Sequence, residues 1–67
     1  MTIGEKIREL REENGISKGQ LSRDLGIGRG AVLAWERGDN FPSLLYACDI
    51  ADYFHITLDE LVGRKTE

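Results

Sequence analysis

Cysteine, proline and histidine occur once each in this 67-residue chain, and aromatic side chains make up only 7% of it. A lone thiol, Cys48, has no internal partner, so no disulfide framework holds the fold together. No apolar run approaches the ~20 residues that a membrane-spanning helix needs. The start, Met1-Thr2-Ile3-Gly4-Glu5, lacks the basic and then apolar segments of a secretory signal, so the expected location is reducing and cytoplasmic. His55 and Cys48 stand seven apart, two ligands where a zinc site normally takes four, so no metal is expected. Asp49, Asp52, Asp59 and Glu60 have no nucleophile or second histidine beside them and read as solvated charge. The expectation is a protein without catalysis, cofactor or small-molecule ligand. Positive charge is scarce too, with nine Lys and Arg against twelve Asp and Glu, a net charge of −3.

What is present is a composition that folds. The chain is 40% hydrophobic and 31% charged with eight glycines, neither low-complexity nor disordered. Its length fits a single small domain that buries roughly 60% of the surface its unfolded chain exposes. Charge is unevenly spread: residues 1–37 carry seven basic and six acidic side chains, residues 38–67 two and six. Within the first part, residues 15–37 hold Lys18, Arg23, Arg29 and Arg37 against only Asp24 and Glu36. A negatively charged partner would meet this stretch.

Helix signals divide the chain into five short pieces. Thr2-x-x-Glu5, Ser17-x-x-Gln20 and Thr57-x-x-Glu60 each set a capping hydroxyl three residues before a side chain able to cap in return. Ile16 with Leu21, and Ile56 with Leu61, add hydrophobic staples to two of these starts. A first helix is expected over about 3–13, ended by Asn14-Gly15, and a second over about 18–25, ended by Gly26. Gly28 opens a third over about 29–37, with Val32 and Trp35 inward, ended by Gly38. Ser43 caps a fourth that runs to about Phe54, and a short fifth covers 57–62. Gly63 then releases a charged tail, residues 64–67, expected to be mobile. No strand pattern occurs, and the glycines at 26, 28 and 30 follow no strand, which removes a dinucleotide-binding reading. The fold class is all-α, one domain over residues 1–63.

The informative feature is Gly26-Ile27-Gly28 between two short helices, since a three- to four-residue turn containing glycine sets helices at the ~90–120° crossing of a helix-turn-helix. Ser22 supplies a small side chain at that crossing, and Leu21, Leu25, Ile27, Val32 and Trp35 are spaced to fill the wedge. Ser17-Lys18-x-x-Leu21-Ser22-x-x-Leu25-Gly26-Ile27-Gly28-Arg29-x-x-Val32-x-x-Trp35-Glu36-Arg37-Gly38 forms the centre of a longer pattern. It continues with Pro42-Ser43-Leu44, Ile50-Ala51-Asp52-Tyr53-Phe54 and Leu58-Asp59-Glu60-Leu61. The whole, from Ile3 to Gly63, resembles the Cro/C1-type helix-turn-helix family, also called Xre-like or phage-repressor-like. The resemblance implies a five-helix, lambda-repressor-like domain. It further implies a transcriptional regulator, a repressor of bacterial or phage type that works at the nucleoid and binds a palindromic double-stranded DNA operator as a homodimer.

By that resemblance the third helix enters the major groove and its first residues meet base edges. Arg29 is the only long donor there, and a guanidinium paired with guanine O6 and N7 is the commonest specific contact. Gly30, Leu33 and Ala34 share the same outward face, where Leu33 and Ala34 can only pack on thymine methyls. Lys18 matches a phosphate-facing position usually held by glutamine, joined on the phosphate side by Ser17, Arg23, Gly28 and Arg37. Arg11 and Glu36 match a charge pair that holds the recognition helix without touching DNA. With Gly30, Ala31, Leu33 and Ala34 on the reading face, and Asp39 and Asn40 in the following loop, the expected binding is weak and salt-sensitive. In the fourth helix Leu44, Ala47, Ile50, Ala51 and Phe54 suffice for the core. Leu45, Tyr46 and Tyr53 are left for a dimer or partner surface. Cys48 is expected inside as a small hydrophobe. The rival reading is a protein-interaction module, an antirepressor or adaptor, that keeps the fold without DNA affinity.

Overall fold

The computed structural model describes residues 1–63; the charged tail expected at 64–67 lies outside the described residues. Five helices follow one another: α1 (Ile3–Glu13), α2 (Lys18–Leu25), α3 (Arg29–Arg37), α4 (Leu44–Tyr53) and α5 (Leu58–Val62), with no strand among the described residues. Their starts follow from hydroxyls. Thr2, Ser17, Ser43 and Thr57 each accept a hydrogen bond from the amide three residues on, covering a donor that the helix cannot satisfy itself. The reciprocal box closes only at α1, where the Thr2 amide donates to Glu5 Oε1 at 2.8 Å and the Glu5 amide to Thr2 Oγ1 at 3.1 Å. That exchange holds the Glu5 carboxyl below its ordinary range, since the backbone bond to Thr2 favours the charged form. At α2 the cap is one-sided, and at α5 the Glu60 carboxylate meets the Thr57 hydroxyl instead of its amide. These are corrections to the expected three boxes: spacing permits the return bond, but an exposed side chain is free to leave it.

The ends share one device. The amides of Ile16, Ile27, Asp39 and Ile56 donate to the carbonyls of Arg11, Ser22, Ala34 and Ala51, each five residues back. Such a turn needs a left-handed residue just before the donor. Gly15, Gly26 and Gly38 supply it in three cases and His55, at φ 58°, in the fourth.

α3 is the centre of the packing. It lies against α1 on one side and α2 on the other, while α5 bridges α1 and α4. The core consists of Ile7 and Leu10 of α1, Leu21 of α2, Val32 and Trp35 of α3, Ala47, Ile50 and Ala51 of α4, and Leu61 of α5. Fully burying one such aliphatic side chain is worth about 1.5–3 kcal/mol. The staple residues Ile16 and Ile56 pack against the same cluster. One contributor was not read from the sequence: Gly4, buried in the first turn of α1, where a methyl would overlap the Trp35 carbonyl oxygen. Only glycine lets α1 approach the end of α3 so closely. A glycine in a helix's first turn, where it costs propensity, is the signal that was available.

α4 departs from its expected orientation at three positions. Leu44 is 69% exposed, because the first turn of α4 runs beyond the cluster, whose first α4 member is Ala47. Tyr53 turns the other way: its ring packs on the cluster, edge-on to Phe54 at 4.9 Å, and its hydroxyl donates to Asp24 Oδ2 at 2.6 Å. A tyrosine whose polar tip has a partner can lay its ring on a core. Cys48 is half-buried rather than enclosed.

Candidate nucleic-acid interface

The turn between α2 and α3 makes the site possible. Gly26 takes a left-handed conformation at φ 70°, the Ile27 amide closes onto the Ser22 carbonyl at 2.9 Å, and Gly28 starts α3 from an extended conformation. Ser22 is buried at the crossing and its hydroxyl donates to the Lys18 carbonyl at 2.9 Å, so the small polar side chain costs nothing in unpaired groups. α3 is thereby divided into two faces. Val32 and Trp35 are buried, whereas Arg29, Gly30 and Leu33 are exposed and Ala34 is half-buried. With glycine at its N-cap, α3 has no side-chain oxygen over its first amides, and the Ala31 amide turns back to the Gly28 carbonyl at 3.1 Å.

Arg11 and Glu36 fix this helix from behind. Arg11 Nε donates to Glu36 Oε2 at 2.8 Å and its Nη2 to Oε1 at 3.2 Å, while Nη1 donates to the Ile16 carbonyl at 2.9 Å. The two side chains are 11% and 4% exposed, so this is a fork-to-fork pair largely out of water. It ties α1, α3 and the loop before α2 to one guanidinium. The Glu36 hydrogen bonds raise the Arg11 pKa further, against the opposing effect of burial. Among the described residues no buried side-chain nitrogen or oxygen lacks a partner.

The remaining cations differ in freedom. Arg29 and Arg23 are exposed and, with the half-buried Lys18, have no carboxylate within 4.0 Å among the described residues. Arg37 is exposed, with its Nε 3.5 Å from Asp39 Oδ2. Lys18, Leu33 and Arg37 come together on one open groove of about 270 Å³, whose walls also include Arg8, Arg11, Glu12 and Glu36. Arg29 and Arg23 lie outside its lining, as do Ser17 and Gly28 at the two exposed helix starts. Arg8 was not picked from the sequence; its place three residues before Arg11, on the same side of α1, was the available signal. Outside that lining Phe41, Leu44 and Leu45 are 72%, 69% and 77% exposed, beside Tyr46, whose ring leans on Trp35 at 5.8 Å. Of the expected partner surface, Leu45 and Tyr46 lie there; Tyr53 is drawn inward and its place is taken by Phe41 and Leu44.

This architecture is found elsewhere. Residues 7–61 match the helix-turn-helix family. The uncharacterized HTH-type transcriptional regulator YgzD of Bacillus subtilis is 38% identical over 62 residues, 92% of this chain and 94% of that protein. The HTH-type transcriptional activator BcrR of Enterococcus faecalis is 32% identical over 65 residues, 97% of this chain but 32% of its own length. This chain therefore spans about a third of BcrR. The crystal structure of the P22 c2 repressor protein in complex with a synthetic operator superposes with a TM-score of 0.88 at 23% identity, over 97% of this chain and 98% of that one. At that identity the likeness speaks for the fold. Five helices, the glycine turn between α2 and α3, and the match over residues 7–61 agree: the chain belongs to the helix-turn-helix family of the Cro/C1 type.

Proposed function

We propose that this chain is a sequence-specific DNA-binding regulator of transcription, a repressor that lays α3 in the major groove of a palindromic operator and excludes polymerase by occupying its site. The observation that carries the reading is the division of α3. Its inner face is buried and its end is locked by the Arg11–Glu36 pair, while Arg29 stands exposed at its start with no carboxylate within 4.0 Å among the described residues. A rigid helix that offers an unengaged guanidinium from its first turn suits base readout. In this reading Arg29 pairs with guanine, Gly30 lets the helix approach closely, and Leu33 and Ala34 pack on thymine methyls. Ser17, Lys18, Arg23, Gly28 and Arg37 face phosphates. Two copies associate through Leu45 and Tyr46, joined by Phe41 and Leu44, and meet half-sites ~34 Å apart. The work is binding, without catalysis, and belongs in the cytoplasm with the DNA.

Replacing Arg29 by alanine tests the reading. Specific affinity for a selected duplex should fall by about 1–3 kcal/mol and preference should relax at one base position; an unchanged binding profile contradicts it. The exposed apolar patch on α4 favours a second reading, a protein-interaction module with little DNA affinity. That reading predicts no effect of Arg29→Ala on any DNA titration.

A further inference from the structure

The open groove beside α3 gathers cations from three elements: Arg8 of α1, Lys18 of α2 and Arg37 of α3, with Leu33 as its apolar wall. Leu33 lies on the exposed side of the helix that begins with Arg29, so a duplex lying along that side passes the groove. We infer that the groove seats one phosphodiester of the DNA backbone, with Arg8 as a further positioning contact, and that Glu12 and Asp39 are built-in competitors for it. The inference rests on the DNA-binding reading above.

Three features carry it. Arg8 Nε lies 3.2 Å from Glu12 Oε2 and Arg37 Nε 3.5 Å from Asp39 Oδ2, each carboxylate engaging its guanidinium through one nitrogen. The rest of each planar fork stays available to a tetrahedral anion. All four side chains are more than half exposed, and pairs of that kind are worth little in water, so phosphate can displace the carboxylate. Arg11 and Glu36, at the back of the groove, are spent on each other and leave the net positive charge to Arg8, Lys18 and Arg37. The consequence is an exchange: a phosphate gains two arginines by releasing two carboxylates that stay tethered nearby. Sequence-independent affinity is thereby lowered, and base contacts decide where the protein rests.

The test compares wild type, Arg8→Gln and Glu12→Gln by fluorescence anisotropy on a selected duplex and on an unrelated one, across a salt series. Thermal melts confirm that each exposed substitution leaves the fold intact. Arg8→Gln should weaken binding roughly three- to tenfold on both duplexes alike and lower the salt slope by up to about 0.9, the full contribution of one phosphate, since Lys18 and Arg37 still face it. Glu12→Gln should tighten binding roughly two- to fivefold and steepen the slope. Arg8→Lys should keep most of the slope. If wild type binds and Arg8→Gln matches it in affinity and slope, the groove assignment is overturned and the DNA reading stands. If wild type binds neither duplex, both are overturned. Inorganic phosphate that shifts the Arg8 Nε resonance, without any Arg8→Gln effect on DNA, would assign the groove to a free anion and overturn the backbone role.

Discussion

Among the described residues His55 is the one non-glycine residue with a positive φ. Its φ of 58° lies in the left-handed region, which costs an L side chain roughly 1–2 kcal/mol, and the three equivalent turns use glycine. His55→Gly relieves that cost and gives back part of it through the freer unfolded chain. The expected net gain is about 0.5–1 kcal/mol, seen as a higher urea midpoint at an unchanged m-value. Tyr53 makes a second prediction. Its hydroxyl donates to the Asp24 carboxylate, which raises its pKa above the ordinary 10.0, with burial and the negative charge adding to the effect. Since the folded pKa is the higher one, this contribution to stability is complete below about pH 10 and is lost as pH rises through the folded value. An absorbance titration of tyrosinate should show one group ionising late in wild type and earlier in Asp24→Asn.

The five helices were legible element by element because their punctuation is local. Hydroxyl caps and glycine stops act within three to five residues, so Ile3–Glu13, Lys18–Leu25 and Arg29–Arg37 fall on the approximate ranges expected from the sequence. What depends on neighbouring helices was not legible. A period of 3.6 sets Leu44 on the stripe of Ala47, yet only the finished packing shows that the stripe outruns the core there. The inward turn of Tyr53 depends on Asp24, 29 residues away. Gly4 belongs to the same class, since its role lies in the carbonyl of Trp35. Gly4→Ala should therefore destabilise by about 1–3 kcal/mol despite alanine's better helix propensity, because a backbone oxygen of α3 has no free rotamer with which to yield. A melt in which Gly4→Ala gains stability would show that α1 does not need this approach.

At the scale of the molecule two surfaces compete for meaning: the face with Arg29, Leu33 and the basic groove, and the apolar patch of Phe41, Leu44 and Leu45. The first was largely legible as positions, because Lys18, Arg23, Arg29 and Arg37 are the cations of one local stretch. Arg8 was not, because it reaches the groove from α1. The patch serves the same function if it joins two copies. Leu45→Asp puts a charge on the most exposed leucine, which has no part in the core, so the fold should survive while the weight-average mass in sedimentation falls toward monomer. An unchanged mass would remove the dimer surface from the account.

The net charge of −3 makes DNA binding the claim most in need of a direct test. That test is selection from a randomised duplex pool at low salt, followed by sequencing. Enrichment of an inverted repeat with half-sites about one helical turn apart is the predicted result, and it would name the half-site read by α3. A folded protein that enriches no sequence over the starting pool would contradict the account and leave the α4 patch as the surface to pursue.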